Sequence, residues 1–372
     1  MHNAKLVSFW KCTWVIACAL PLAGCLIGGS DRAPPVLPAE FLNLGVLQGY
    51  TSSQASAISS DGTVVVGMTT TTAGNRQAIR WNAQQGMVGL GFIPGGTAST
   101  ATAVSANGAV IVGIGDANNG NPRTPSAGFR WTADGGVQRI DALSGSQLCS
   151  VGGVSGDGAV IVGTCLQSNN TAFRWTASSG PVGLSQFGGG SDQQSTAIAI
   201  SMDGFVMVGA GHPVLTGAVM WAANGSATIL GKLPGDAEGV ATAVSRDGSV
   251  IVGASTNNAG IPRAFRWTQQ TGMVDLGNGI SGLLGTFATS VSGNGRTIVG
   301  WGPEPTGDVA LIWDVDHGWR KLDAVLATDY QTQITGWILT RATAISDNAQ
   351  AIAGYGTNPQ GQTEAWIVKL PN

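Results

Sequence analysis

The stretch Ala241-Thr-Ala-Val-Ser-Arg-Asp-Gly-Ser-Val-Ile-Val-Gly253 decides the fold. Its first arm is small and β-branched, and its second is a short apolar run, so both suit buried strands. Asp247-Gly248 separates them. Asp tolerates left-handed backbone and bonds its own main chain, and Gly takes positive φ freely, so the pair predicts a tight hairpin. Related stretches begin at Ala55, Ala101, Val151, Ala197, Ala288 and Ala342. Their turns are Asp61-Gly62, Asn107-Gly108, Asp157-Gly158, Asp203-Gly204, Asn294-Gly295 and, as a variant, Asn348-Ala349.

Each hairpin is followed by two more short apolar runs. The third run carries a Trp in every unit: Trp81, Trp131, Trp175, Trp221, Trp267, Trp313 and Trp366. The fourth is typified by Gly272-Met-Val-Asp-Leu-Gly277. The serines closing the first arms (Ser59, Ser105, Ser155, Ser201, Ser245, Ser292, Ser346) are spaced by 46, 50, 46, 44, 47 and 54 residues. Four strands in a period of roughly 40–50 residues predict propeller blades, since single coils of a β-helix are much shorter. The expected fold class is therefore all-β: a seven-bladed β-propeller of four-stranded antiparallel blades over residues 40–372.

The two ends complement each other. Phe41-Leu-Asn-Leu-Gly45 matches a fourth strand with no first three before it, and the seventh unit reaches Ala365-Trp-Ile-Val-Lys-Leu370 without a fourth. We expect the N-terminal strand to complete the last blade and close the ring, which removes the exposed sheet ends of an open array. A monomer is expected.

Residues 1–24 read as a leader: Lys5 and Lys11 precede an apolar stretch, 12–22, too short to span a bilayer. It ends in Leu22-Ala23-Gly24-Cys25, which resembles the lipobox of bacterial lipoproteins. That resemblance implies a lipoprotein signal peptide, cleavage before Cys25 and lipid on its thiol and new amino group, with the membrane as a partner through this anchor. Leu26 rather than Asp follows, which by the same resemblance favours the outer membrane over the inner one. Residues 25–39, with Gly28-Gly29, Pro34-Pro35 and Pro38, read as a flexible tether.

Only 10% of the 372 residues are charged and the net charge is −3, so no nucleic-acid partner is expected. Cys12 and Cys18 leave with the leader, Cys25 carries lipid, and Cys149 and Cys165 remain on the arms of the third hairpin. If its loop is Gly156, Asp157 and Gly158, positions whose numbers total 314 face each other, which pairs these cysteines. A disulfide is expected in an oxidising compartment, with two free thiols as the alternative.

Laid end to end, Ala-Thr-Ala-Val-Ser-x-Asp-Gly, Ala-Phe-Arg-Trp-Thr and Gly-Met-Val-x-Leu-Gly resemble the HAF family of bacterial extracellular repeats, over about residues 41–370. The resemblance implies an extracytoplasmic address. It implies no catalytic residues.

No catalytic constellation emerges from the residues themselves. His212 and His317 fall in different units, outside any metal-spaced cluster, and no metal or cofactor is expected. The periodic Ser-x-Asp-Gly is explained by turn chemistry, because seven equivalent active sites are implausible. The Ser-x-Asp hairpin is similar to the Asp-box of sialidases, but those enzymes need an arginine cluster plus a tyrosine nucleophile, and the tyrosines here are only Tyr50, Tyr330 and Tyr355. One Trp per unit reads as inter-blade packing. The neighbouring arginines, Arg80, Arg130, Arg174 and Arg266, would face the other way and pair with acids of an adjacent blade. Binding residues concentrate on loops. The longest connections, 114–127, 255–263, 301–308 and 327–338, share one face and contain Trp301, Tyr330 and Trp337, the expected binding residues. The expected function is a non-enzymatic envelope lipoprotein whose propeller binds or scaffolds a protein or polysaccharide. A glycan-acting hydrolase on the same scaffold is the alternative.

Overall fold

The computed structural model describes residues 37–116, 126–146, 148–166, 169–185, 194–212 and 217–371. The leader, Cys25 and most of the tether lie outside them, as does most of the 114–127 connection. The described residues form seven four-stranded antiparallel sheets. In the fifth blade the strands run Asp236–Val244, Val250–Asn257, Pro262–Thr268 and Gly272–Asp275, in chain order from the axis outward. The other blades repeat this order, and the seventh takes its outermost strand from Glu40–Gly45.

That strand lies antiparallel to Thr363–Lys369, with Glu40 opposite Lys369, Leu42 opposite Ile367 and Gly45 opposite Ala365. The ring is closed as expected. A buried carboxylate secures the seam: Glu364, 8% exposed, accepts from Asn43 Nδ2 (3.1 Å), Gly45 N–H (2.9 Å) and Asn358 Nδ2 (2.8 Å).

Seven apolar clusters fill the wedges between neighbouring blades. Trp81 of the first blade packs with Ala351, Ala353 and Ile367 of the seventh, and Trp366 of the seventh packs with Val299 and Ile312 of the sixth. Trp221 packs with Val160 and Val162 of the third. Each unit's Trp thus faces the preceding blade, as its single register predicts.

The repeated serine is buried because it closes the hairpin from inside. Ser245 Oγ, 1% exposed, accepts Val250 N–H (3.0 Å) and donates to Asp247 Oδ1 (2.8 Å). Asp247 Oδ1 also accepts Ser249 N–H. Asn takes the aspartate's place at Asn107, Asn294 and Asn348 with the same Ser contact. Gly248 sits at φ 74°, and a Cβ there would lie 2.5 Å from Val206 Cγ2 of the preceding blade.

These turns carry a pH dependence. Burial pushes Asp61 up, but the Ser59 hydroxyl and the Thr63 N–H outweigh it and hold the carboxyl below its ordinary 3.8. Asp157 is lowered mainly by the Ser155 hydroxyl, and Asp247 by the Ser249 N–H and hydroxyl. A carboxyl with a depressed folded pKa stabilises fully above its unfolded value, and that contribution disappears as pH falls through the folded value. We expect Asp61→Asn, Asp157→Asn and Asp247→Asn together to leave stability at pH 7 within about 1 kcal/mol. The decline below about pH 4 should flatten. Urea midpoints from pH 7 to 2 check this; an unchanged acid limb would contradict it.

The innermost strand is not regular. In every blade its register slips by one residue, at Ala55/Ala57, Ala101/Ala103, Val151/Gly153, Ala197/Ala199, Ala241/Ala243, Ala288/Ser290 and Ala342/Ala344. Each slip is a β-bulge with one extra residue facing the axis. Four of the extra residues are threonines whose hydroxyls donate to the next blade's backbone: Thr102 to Val151 O (2.9 Å), Thr242 to Ala288 O (2.7 Å), Thr289 to Ala342 O (2.7 Å) and Thr343 to Ala55 O (3.0 Å). The last crosses the seam. The bulge also explains the glycine ending the second arm. A Cβ on Gly253 would lie 2.0 Å from Val240 O, and its six equivalents would meet a carbonyl at 1.9–2.1 Å.

Cys149 and Cys165 are bonded, with S–S 2.02 Å, inside the core between the second and third blades. The pairing is the expected one, but the loop is not. Ser155 N–H bonds Val160 O, so the turn is one residue longer and Val154 and Gly153 pair at a total of 315. The bulge at Gly152 restores 314 for Cys149 and Cys165.

One helix occurs among the described residues, Leu322–Thr328, between the sixth and seventh blades. The sequence pattern suggests only a loop over 327–338, and the helix overlaps its start. Leu322, Val325 and Leu326 bury a face at helical spacing, and Asp323 sits in the first turn. No helix among the described residues is long and apolar enough to cross a membrane.

Candidate functional site

The first-to-second strand hairpin turns and the third-to-fourth strand turns share one face, the turn face. The longer connections form the opposite, loop face. The expected binding residues belong to the loop face, but the structure does not join them into one site. Trp301 is stacked on Phe287 (centroids 4.2 Å, interplanar 12°) and has the Arg341 guanidinium 3.6 Å over its ring. Asp308 fixes that guanidinium through Arg341 Nε at 2.8 Å. Two protein groups already use the indole. Trp337 meets Phe41 edge-on at 5.2 Å, and with Tyr330 it packs on the cluster of Leu322, Val325 and Leu326. Burial pushes the Tyr330 phenol up.

The 255–263 connection ends in an ion-pair clamp. Arg263 holds Asp236 at 2.7 Å and Asp275 at 2.8 Å. Burial raises Asp236, but the hydrogen bond from Arg263 outweighs it and the carboxyl is lowered. His317 Nδ1 lies 2.7 Å from Asp314 in an exposed turn, and His212 ends the strand Val206–His212 of another blade. Among the described residues no group of three or more His, Cys, Asp and Glu could hold a metal ion.

Among the described residues the strand arginines form no ion pair with acids of an adjacent blade. Arg266 Nε donates to Gly295 O of the next blade at 3.3 Å, and burial alone lowers its pKa. Arg80 Nη1 donates to Gln85 Oε1 at 3.0 Å.

Along the axis, the bulge residues line a channel of about 260 Å³. It narrows at the turn face, where the residue between Ser and Asp of each hairpin turns inward. Five backbone bonds link these positions around the ring, among them Ser60 N–H to Ala106 O (3.1 Å) and Asp347 N–H to Ser60 O (3.0 Å). Ser60 and Met202, from opposite blades, meet at 3.6 Å, and Arg246 bridges to Asp347 at 3.1 Å.

The larger concavities lie between blades on the turn face. One of about 650 Å³ sits at the seam, lined by Asp61, Arg80, Trp81, Gln84, Gln350 and Lys369 with neighbouring turn residues. A second, of about 630 Å³, lies between the first and second blades and includes Trp131, Val88 and Asp134. Arg80 lines both. Trp81 is only 7% exposed, and its indole N–H has no partner among the described residues. It is not among the side-chain groups sealed from solvent without one, unlike Trp319 and Trp366. The sequence singled out Trp81 only as one of seven equivalents. The groove joins residues from both ends of the ring, and no local pattern marks it.

No family model matches the chain, and no curated protein matches its sequence. Solved structures do share the fold. An oligogalacturonate lyase from Vibrio parahaemolyticus aligns at TM-score 0.59 and 12% identity, over 91% of this chain and 98% of that one. The β-propeller domain of the Trilobed protease from Pyrococcus furiosus aligns at 0.56 and 8%, over 86% and 95%. That domain is described as having an open velcro topology, whereas this chain's last blade is completed by its N-terminal strand. A TolB from Acinetobacter baumannii aligns at 0.46 and 14%, over 70% of this chain and 63% of that one. At these identities the likeness to the lyase and to the protease domain concerns the fold.

Proposed function

We propose that this chain is a cell-envelope lipoprotein, tethered through Cys25, whose propeller captures a protein or glycan partner at its turn face without transforming it. The observation that carries this reading is the seam groove: a preformed concavity of about 650 Å³ with a nearly buried, unpaired indole donor. Its volume falls in the range of ligand sites, roughly 300–1,000 Å³. Glu40, where the chain joins the ring, pairs with Lys369 on the groove's wall.

A glycan-acting hydrolase on the same scaffold is the competing reading. Acid–base cleavage of a glycosidic bond uses two carboxylates about 5–9.5 Å apart. The seam groove is lined by one, Asp61, whose Oδ1 is occupied by Ser59, Thr63 N–H and Thr63 Oγ1.

Address and capture are tested separately. Cys25→Ser should move the protein from the membrane pellet to the soluble envelope fraction; retention in the pellet would contradict the anchor. Glycan incubated with the wild-type protein should gain no new chain ends over hours. Accumulating ends would contradict the non-catalytic reading.

A further inference from the structure

We infer that the two turn-face grooves together bind one acidic oligosaccharide, with a sugar carboxylate seated at Arg80. This rests on the proposal that the turn face captures a partner, and it names the ligand's chemistry. The first ground is shape. The seam groove and its neighbour meet at Arg80, so the combined concavity is elongated and suits a chain of several units.

The second ground is the donor balance of the seam groove. Trp81 is 7% exposed, and its Nε1 is not sealed from solvent and has no hydrogen-bond partner among the described residues. Asn107 uses its Oδ1 for Ser105 and Ala109 N–H, which leaves its Nδ2 free. Gln350 accepts from Asn348 Nδ2 through Oε1, which leaves its Nε2 free. Arg80 spends one N–H on the neutral Gln85, and no ion pair reaches it among the described residues. Against these donors the side-chain acceptors of the two grooves are Asp61 Oδ2, the Thr63 hydroxyl, the amide oxygen of Gln84 and, at the far end of the second groove, Asp134. A peptide brings an N–H donor with nearly every carbonyl, and half of those donors would face donors here. Leaving such groups desolvated and unpaired costs about 1–3 kcal/mol each. Sugar hydroxyls and ring oxygens accept as well as donate, and a carboxylate only accepts. A planar guanidinium without an acid is matched to that carboxylate.

The test uses the full-length wild-type protein in detergent and calorimetric titration with three probes: tetramannuronate, the matched neutral mannotetraose, and hexaglutamate. The account expects tetramannuronate to bind at least tenfold more tightly than either other probe. Arg80→Gln should weaken it about tenfold and remove its preference over mannotetraose. Trp81→Phe, which keeps a ring but drops the N–H, should weaken both saccharides several-fold. Gln84→Ala on the exposed rim provides a third variant that does not touch the core, expected to weaken both saccharides two- to fivefold. Equal binding of the neutral tetramer, equal binding of the peptide, or no effect of Arg80→Gln would overturn the inference. If no saccharide binds while an envelope partner is still cross-linked at the turn face, this inference fails and the binding reading stands. Cleavage of bound tetramannuronate would do the reverse.

Discussion

Gly253→Ala is expected to lower the unfolding free energy by about 3–4 kcal/mol, and Gly253→Val by more. The new Cβ would have to sit 2.0 Å from Val240 O and 2.9 Å from a ring carbon of Phe265. Neither obstacle is the far end of a flexible side chain. The carbonyl belongs to the bulged innermost strand, which its neighbours fix through Thr242, and Phe265 is fully buried. Relief requires the bulge to flatten, which would shift the register of the inner half of the strand and its side chains to the wrong faces. Gly272→Ala is the control. Unlike Gly253, it adopts a positive φ, 64°, and its Cβ would meet nothing within 4 Å. It should cost only the left-handed backbone term, about 1–2 kcal/mol. Urea unfolding of the two variants separates the effects, and equal losses would contradict the close approach at the bulge.

Removal of the strand Glu40–Gly45 is expected to cost about 5 kcal/mol or more and to cause aggregation. Glu364 would keep Asn358 but lose Asn43 Nδ2 and Gly45 N–H, and hydrogen bonds to a charged group contribute about 1.5–3 kcal/mol each. Leu44, 4% exposed, would leave the seam cluster, at roughly 2 kcal/mol more. The uncovered strand Thr363–Lys369 carries Trp366, Ile367 and Val368, and an open apolar edge of this kind recruits other chains. Glu364→Gln tests the latch alone. It keeps one acceptor oxygen but turns the other position into a donor facing a donor, and about 2–3 kcal/mol of loss is expected. Thermal melts with light scattering report both variants; a monomeric truncated chain melting with the wild type would contradict the seam's role.

These results bear on what the chain makes legible. The hairpin, the blade count and the closing strand were readable because Asp-Gly, the buried Ser and the Trp recur at one spacing, and each has a local cause. The bulge was not readable from the residue inserted there, which is Ser, Thr, Gly or Ile depending on the blade. Its sign was on the partner strand: a Gly inside an otherwise Val-Ile-Val run weakens a strand unless another backbone approaches closely. That oversight explains the cysteine pair, where an assumed short loop and an unseen bulge cancelled. The loop aromatics were assigned to ligand binding because they lie on long connections. Trp301 stacks with Phe287 under the Arg341 guanidinium, and Trp337 meets Phe41 edge-on. Such partners come from other strands and blades, so adjacency in the chain does not announce them. The seam groove is hidden for the same reason, since Trp81 and Lys369 meet only when the ring closes.

Ring closure is therefore the claim to test most directly. Glu40 and Lys369 are Cα partners across the seam, and their side chains already meet at 3.2 Å. The double variant Glu40→Cys and Lys369→Cys should form an intramolecular disulfide under mild oxidation, read as one cross-linked peptide by mass spectrometry and as faster migration on a non-reducing gel. Two free thiols, or cross-links only between chains, would contradict a ring closed by its own N-terminal strand.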